Sequence, residues 1–126
     1  MKYTGTFEDY LADASKELTM ARLALETGKL QATVGRCYDA CSNGVRALLQ
    51  TENLYARTNL RANALFAQHF IRTGRIPTHF AAYLRDLFEE RQNAASDFDE
   101  NYTLSDAQQF IRTSEEFLTY IRSNFG

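Results

Sequence analysis

The sequence predicts an all-α fold, and three observations carry the prediction. Apolar residues recur at steps of three and four along most of the chain. No stretch alternates with period two for long enough to form a strand. One proline and six glycines in 126 residues leave little room for linkers, and there is no repeat or low-complexity tract. Short connections between long amphipathic helices favour antiparallel neighbours. The expected architecture is therefore one domain over residues 1–126, an up-and-down antiparallel bundle of four long helices plus a shorter one.

In the first helix, Phe7, Leu11, Ala14, Leu18, Ala21 and Leu25 fall on one face. Thr6 with Asp9 resembles an N-terminal cap, and Gly28 is a natural stop. The second helix is expected over residues 30–50, with a broad stripe of Val34, Cys37, Tyr38, Cys41, Val45, Leu48 and Leu49. Gly35 and Gly44 lie inside it, where glycine costs roughly 1 kcal/mol against alanine. Two such residues suggest close approach of another helix or chain, with plain tolerance as the alternative.

A connector over residues 53–58 leads to a third helix over 59–73, with Leu60, Leu65, Phe66 and Phe70 inward and Gly74 ending it. Pro77 suits the first turn of the fourth helix, where its missing N–H is unpaired anyway. Phe80, Tyr83, Leu84, Leu87 and Phe88 form the inner face of that helix. The polar run 96–103 breaks the pattern. Ser105 and Gln108 then suggest a capping box for the last helix, whose inner face is Phe110, Ile111, Phe117, Leu118 and Ile121.

The net charge of −2 gives no general attraction to nucleic acid or anionic membrane. Its distribution is uneven. Residues 56–91 hold six arginines against three acids, whereas residues 92–126 hold two arginines against six acids. A basic surface on the middle helices and the ordinary solvated faces of amphipathic helices are both consistent with this. No run is long and apolar enough for a bilayer, and the start of the sequence lacks a signal core. With only two cysteines, a reducing cytoplasm is the expected location. Cys37 and Cys41 could supply half a metal site, but nothing completes it, so core thiols are expected, with no metal and no cofactor. His69 and His79 are the only imidazoles. The first is read as a packing residue beside Phe70, and the second as a solvent-facing one.

Several pieces, in order, resemble the small stand-alone HEPN proteins of bacteria and archaea. They are Tyr10-Leu11-Ala12-Asp13-Ala14, Arg36-Cys37-Tyr38-Asp39-Ala40 with Arg46-Ala47-Leu48-Leu49, Arg57-Thr58-Asn59, and the run from Phe66 to Pro77. Asp39 stands where the family usually has a second tyrosine. Asn59 stands where many members have the histidine of Lys-Thr-His. The last piece is Leu87-Phe88-Glu89-Glu90-Arg91-Gln92-Asn93-Ala94-Ala95-Ser96-Asp97-Phe98, which resembles the region holding the family's RNA-cleaving arginine and histidine.

The resemblance implies a homodimer, and a small nucleotidyltransferase as partner in a two-gene module of toxin–antitoxin type. It also implies contact with RNA or a nucleotide. Some family members are metal-independent ribonucleases that use an arginine, a short spacer and a histidine. Arg91 matches the arginine, and Ser96, Asp97 or Phe98 occupies the histidine's place. The residues implied to touch phosphate or nucleotide are Arg91, Asn93, Asp97, Arg57 and Asn59.

Metal-free RNA cleavage needs a base for the 2′-OH, a cation for the phosphate and an acid for the leaving oxygen. Arginine supplies the cation through its bidentate fork. Asp97, with an ordinary aspartate pKa of about 3.9, is a weak base and is unprotonated as an acid. The expectation is a HEPN domain that binds rather than cleaves. The alternatives are a weak endoribonuclease using Arg91 and a pure protein-interaction domain. An end-of-helix arginine paired with Asp97 or Asp99 is the structural reading of Arg91.

Overall fold

In the computed structural model, residues 5–96 and 102–126 are described, with side chains as far as Glu89 and again from Tyr102. Five α-helices follow one another: α1 Phe7–Glu26, α2 Leu30–Thr51, α3 Asn59–Phe66, α4 Thr78–Ser96 and α5 Leu104–Phe125. No strand occurs among the described residues.

Local chemistry sets the helix ends. Thr6 caps α1, accepting from the Asp9 N–H at 3.1 Å while Asp9 accepts from the Thr6 N–H at 3.0 Å. After α1 the Lys29 N–H reaches the Ala24 carbonyl at 2.9 Å and the Gly28 N–H reaches Leu25 at 3.0 Å. Gly28 sits at φ +74°, so this is a glycine-stopped Schellman turn. After α2 the same pattern recurs with asparagine. Leu54 donates to Leu49, Asn53 donates to Gln50, and Asn53 takes φ +56°.

The capping box expected at Ser105 and Gln108 lies elsewhere. Thr103 accepts from Asp106 at 3.1 Å, and Asp106 accepts from Thr103 at 3.0 Å. An aspartate, rather than Glu or Gln, closes the box at the third helical position. Ser105 and Gln108 are exposed residues of the first turn. Pro77 likewise precedes α4 rather than lying within it, and its carbonyl accepts from Phe80 at 3.1 Å.

The third helix also departs from expectation. Beyond Phe66 the chain continues as a π-helical turn, Ala67–Ile71, in which the Arg72 N–H reaches the Ala67 carbonyl at 2.9 Å. Phe70 is wholly buried within this turn. Leu60, expected inward, is 72% exposed, because the short α3 buries Ala62, Leu65 and Phe66 on its other side.

The centre of the molecule is α2, which packs against α1, α3, α4 and α5. Contacts give the directions. Arg22 meets Glu115 and Arg122 meets Ser15, so α1 and α5 run antiparallel. Cys41 meets Ser114, and Gly44 faces Leu118 and Ile121, so α2 and α5 run parallel. Phe80 packs at a tilt against Phe117 and Tyr120, ring centroids 5.4 Å apart in both, joining the start of α4 to the later turns of α5.

Val34, Val45, Leu48, Leu49, Phe70, Ile76, Leu87, Phe117, Leu118 and Ile121 are essentially solvent-free. Each such side chain contributes roughly 1.5–3 kcal/mol of hydrophobic stabilisation. Phe7, Leu25, Tyr83, Leu84, Phe88 and Phe110, expected inward, are only partly buried at the rim of this core.

Gly44 is where a close approach requires glycine. A Cβ there would lie 2.9 Å from Leu118 Cδ2 and 3.1 Å from both Ile121 and Phe117. The approaching helix is therefore α5 of the same chain.

Candidate functional site

Arg91 and Asn93 lie on the helical backbone of α4, whose end is at Ser96; Arg91 is more than one turn before that end and Asn93 less than one. Their side chains, and Asp97 entirely, lie outside the described residues.

The backbone of α4 places Arg91 three positions beyond Phe88. Tyr38 of α2 faces Phe88 of α4 with ring centroids 5.8 Å apart, so residues after Phe88 lie alongside the N-terminal half of α2. Arg57 and Asn59 belong to the opposite end. Arg46 Nη2 donates to Asn59 Oδ1 at 2.9 Å and Arg46 Nη1 donates to the Ala56 carbonyl. From Tyr38 to Arg46 alone is about 12 Å along a helix axis. The structure therefore does not bring Arg57 and Asn59 to Arg91. Asn59 is held by Arg46, which ties the connector before α3 to α2, whereas Arg57 is exposed.

The other candidate arginines have different surroundings. Arg75 pairs with Glu52 at 3.1 Å and stands over the Phe70 and Phe125 rings, 4.6 and 5.5 Å from their centroids. That arrangement fixes the turn after the π-helical segment against the C-terminal end of α5. Arg61, Arg72 and Arg85 are exposed. The roles of Arg46 and Arg75 were missed from sequence. Both are long-range tethers, and neither leaves a mark at local spacing.

His79 lies exposed in the first turn of α4, its ring 4.2 Å from that of Phe80. Arg91 follows on the same helix twelve positions later, about 18 Å along the axis. His69 is partly buried in the π-helical turn that precedes α4. Neither imidazole belongs to the helical stretch that carries Arg91.

Cys37 and Cys41 are buried free thiols, as expected for core residues. Cys41 Sγ lies 3.4 Å from Ser114 Oγ. Burial pushes the Cys37 thiol up to about 11 and the Cys41 thiol up to about 12, with the Ser114 hydrogen bond opposing it in both. Both stay protonated and unreactive near neutral pH. Burial also raises the Tyr83 phenol, and its hydroxyl is enclosed without a hydrogen-bond partner among the described residues. Among the described residues no cluster of His, Cys, Asp or Glu is suited to a metal ion. No helix among them is long and apolar enough to cross a membrane.

What the fold and this region define is an all-α domain organised around one central helix, with an arginine on its fourth helix and no imidazole on the same stretch. The chain belongs to the HEPN domain family, whose pattern it matches over residues 7–124. It is similar to a UPF0332 protein of Pyrococcus horikoshii, 31% identical over 77 residues that cover 61% of this chain and 54% of that protein. It is also similar to a UPF0332 protein of Gloeobacter violaceus, 28% identical over 114 residues that cover 88% of this chain and 89% of that protein. The chain thus spans about half the length of the first relative and most of the second. No solved structure matches it.

Proposed function

We propose that this HEPN domain acts by binding and does not cleave RNA. It works as a homodimer, with a small nucleotidyltransferase as partner in a two-gene module of toxin–antitoxin type. Arg91 contributes a cationic contact to a phosphate of RNA or a nucleotide, with Asn93 and Asp97 on the same stretch of chain. Arg57 and Asn59 form a separate contact region at the other end of α2.

One observation carries the non-cleaving part. The helical stretch around Arg91 has no imidazole, since His79 lies about 18 Å away along α4. An arginine alone can hold charge on a phosphate. It cannot take the 2′ proton or protonate the leaving oxygen, because its pKa exceeds about 12. Loss of the general base costs about 10²–10⁴-fold in rate.

Two experiments test the proposal. Co-purification from the native cell is expected to yield a nucleotidyltransferase, and its absence, with no such gene adjacent, would remove that partner. Titration with RNA or nucleotide is expected to show binding that weakens as salt rises. Arg91→Ala should weaken binding further, by roughly 1.5–3 kcal/mol for a charge-assisted contact. Equal binding by both proteins would remove Arg91 from the site.

A further inference from the structure

The outer seam between α1 and α5 is polar. Leu18 and Leu118 are buried at its base. Above them the antiparallel helices set three residues of α1 against three of α5. Ser15 meets Arg122 at one end and Arg22 meets Glu115 at the other. Thr19 and Thr119 fall between these pairs, since steps of four and three keep each trio on one helix face. The two trios and the two leucines line a recess of about 220 Å³. Drug-sized ligands occupy about 300–1,000 Å³, so this recess suits a smaller group.

Its charges do not balance. Arg22 is paired with Glu115. Arg122 donates to the Ser15 hydroxyl and has no ion pair among the described residues. Two guanidinium groups therefore share one carboxylate, and the recess is left positive. A seam that only clasped the two helices would supply a carboxylate for each arginine.

The donors set the shape of what can neutralise it. Ser15 Oγ accepts from Arg122, so the serine's own proton is left for another acceptor. Thr19 gives its proton to the Ser15 carbonyl at 3.1 Å and is not a donor into the recess. Thr119 is exposed and adds a hydroxyl from the other wall. Donors thus stand at both ends and on both walls. A tetrahedral oxyanion presents acceptors in as many directions, whereas a carboxylate presents them in one plane. Guanidinium forks also match phosphate oxygens bidentately.

We infer that the recess between α1 and α5 binds a phosphate group, carried by free phosphate or by a small phosphomonoester. Arg122 makes the charged contact, and Ser15 and Thr119 donate from the two walls. Arg22 reaches the ligand only in competition with Glu115, so Glu115 holds the affinity down. A bound phosphate touches both helices and ties α1 to α5. No residue of α4 lines this recess, so the site is separate from Arg91 and does not rest on the role proposed for it.

Calorimetric titration of the purified full chain at constant ionic strength tests the site. The probes are inorganic phosphate, a nucleoside 5′-monophosphate and acetate. The variants are Arg122→Gln, Glu115→Gln and Arg91→Ala. Arg122 is exposed and Glu115 half-buried, and circular dichroism checks that the helices persist. Saturable phosphate binding is expected, with acetate at least about tenfold weaker. Arg122→Gln should weaken phosphate binding roughly tenfold or more. Glu115→Gln should tighten it about threefold or more, because a carboxylate no longer opposes the anion. Arg91→Ala should leave it unchanged. Phosphate should also raise the thermal midpoint of the wild type and not that of Arg122→Gln. Arg122-dependent binding of the monophosphate that is tighter than that of phosphate would support the site with a phosphomonoester as its ligand. Equal binding would support it with free phosphate. Absence of phosphate binding, binding indifferent to Arg122→Gln, weaker binding in Glu115→Gln, or acetate bound as tightly as phosphate would each overturn the inference. Binding lost in Arg91→Ala but kept in Arg122→Gln would move the phosphate to α4, overturning this site while supporting the contact proposed for Arg91.

Discussion

Gly28 isolates a backbone effect at one residue. It sits at φ +74°, and a Cβ added there would meet nothing within 4 Å. Gly28→Ala should therefore cost about 1–2 kcal/mol through the left-handed conformation alone, read as a shift of the urea midpoint with unchanged slope. The buried thiols make a second residue-scale prediction. Folded-state values of about 11 for Cys37 and about 12 for Cys41 stand above the ordinary 9.0. Between pH 9 and 11 the unfolded chain releases protons that the folded chain keeps, so stability falls as pH rises, by up to about 1.4 kcal/mol per pH unit for each thiol. Below pH 9 the thiols contribute no slope. Urea titrations of the wild type and of Cys37→Ala with Cys41→Ala should differ in slope only above pH 9. An identical pH dependence in the two proteins would show that the thiols titrate normally.

At the scale of elements, the start of α5 separates two caps that look alike in sequence. Thr103→Ala should cost about 1 kcal/mol and Ser105→Ala much less, because only Thr103 accepts from a free helix N–H. The reverse order would move the cap to Ser105. The cap at Thr6 was legible because it has no competitor nearby. At α5, a preference for Gln over Asp as the closing residue led to the wrong pair.

Gly44→Ala tests the α2–α5 contact. Crowding of Leu118, Ile121 and Phe117 costs about 1–3 kcal/mol, against about 1 kcal/mol regained in helix propensity. A net loss on thermal unfolding is expected, and a gain would mean that α5 yields easily. The inward faces of α1, α2 and α5 were readable from spacing, because a long helix averages over many positions. The eight residues of α3 are too few for that. Leu60 therefore read as core, and the π-helical turn left no periodic signal.

For the molecule as a whole, the family and the all-helical fold were legible from ordered motifs and three-and-four spacing. The arrangement of the candidate residues was not. Arg57-Thr58-Asn59 and Arg91 look like parts of one site along the sequence, but α2 and α4 carry them to different ends of the bundle. Only the pairing of Tyr38 with Phe88 and of Arg46 with Asn59 reveals that. The tethering arginines depend on contacts that sequence spacing does not encode.

The most direct test of the non-cleaving reading is RNA cleavage by the purified chain near pH 7, with Arg91→Ala measured alongside under the same conditions. Wild type and variant are expected to share the same background rate, while the variant binds RNA or nucleotide more weakly. Cleavage by the wild type that disappears in Arg91→Ala would contradict that reading and make Arg91 a catalytic residue.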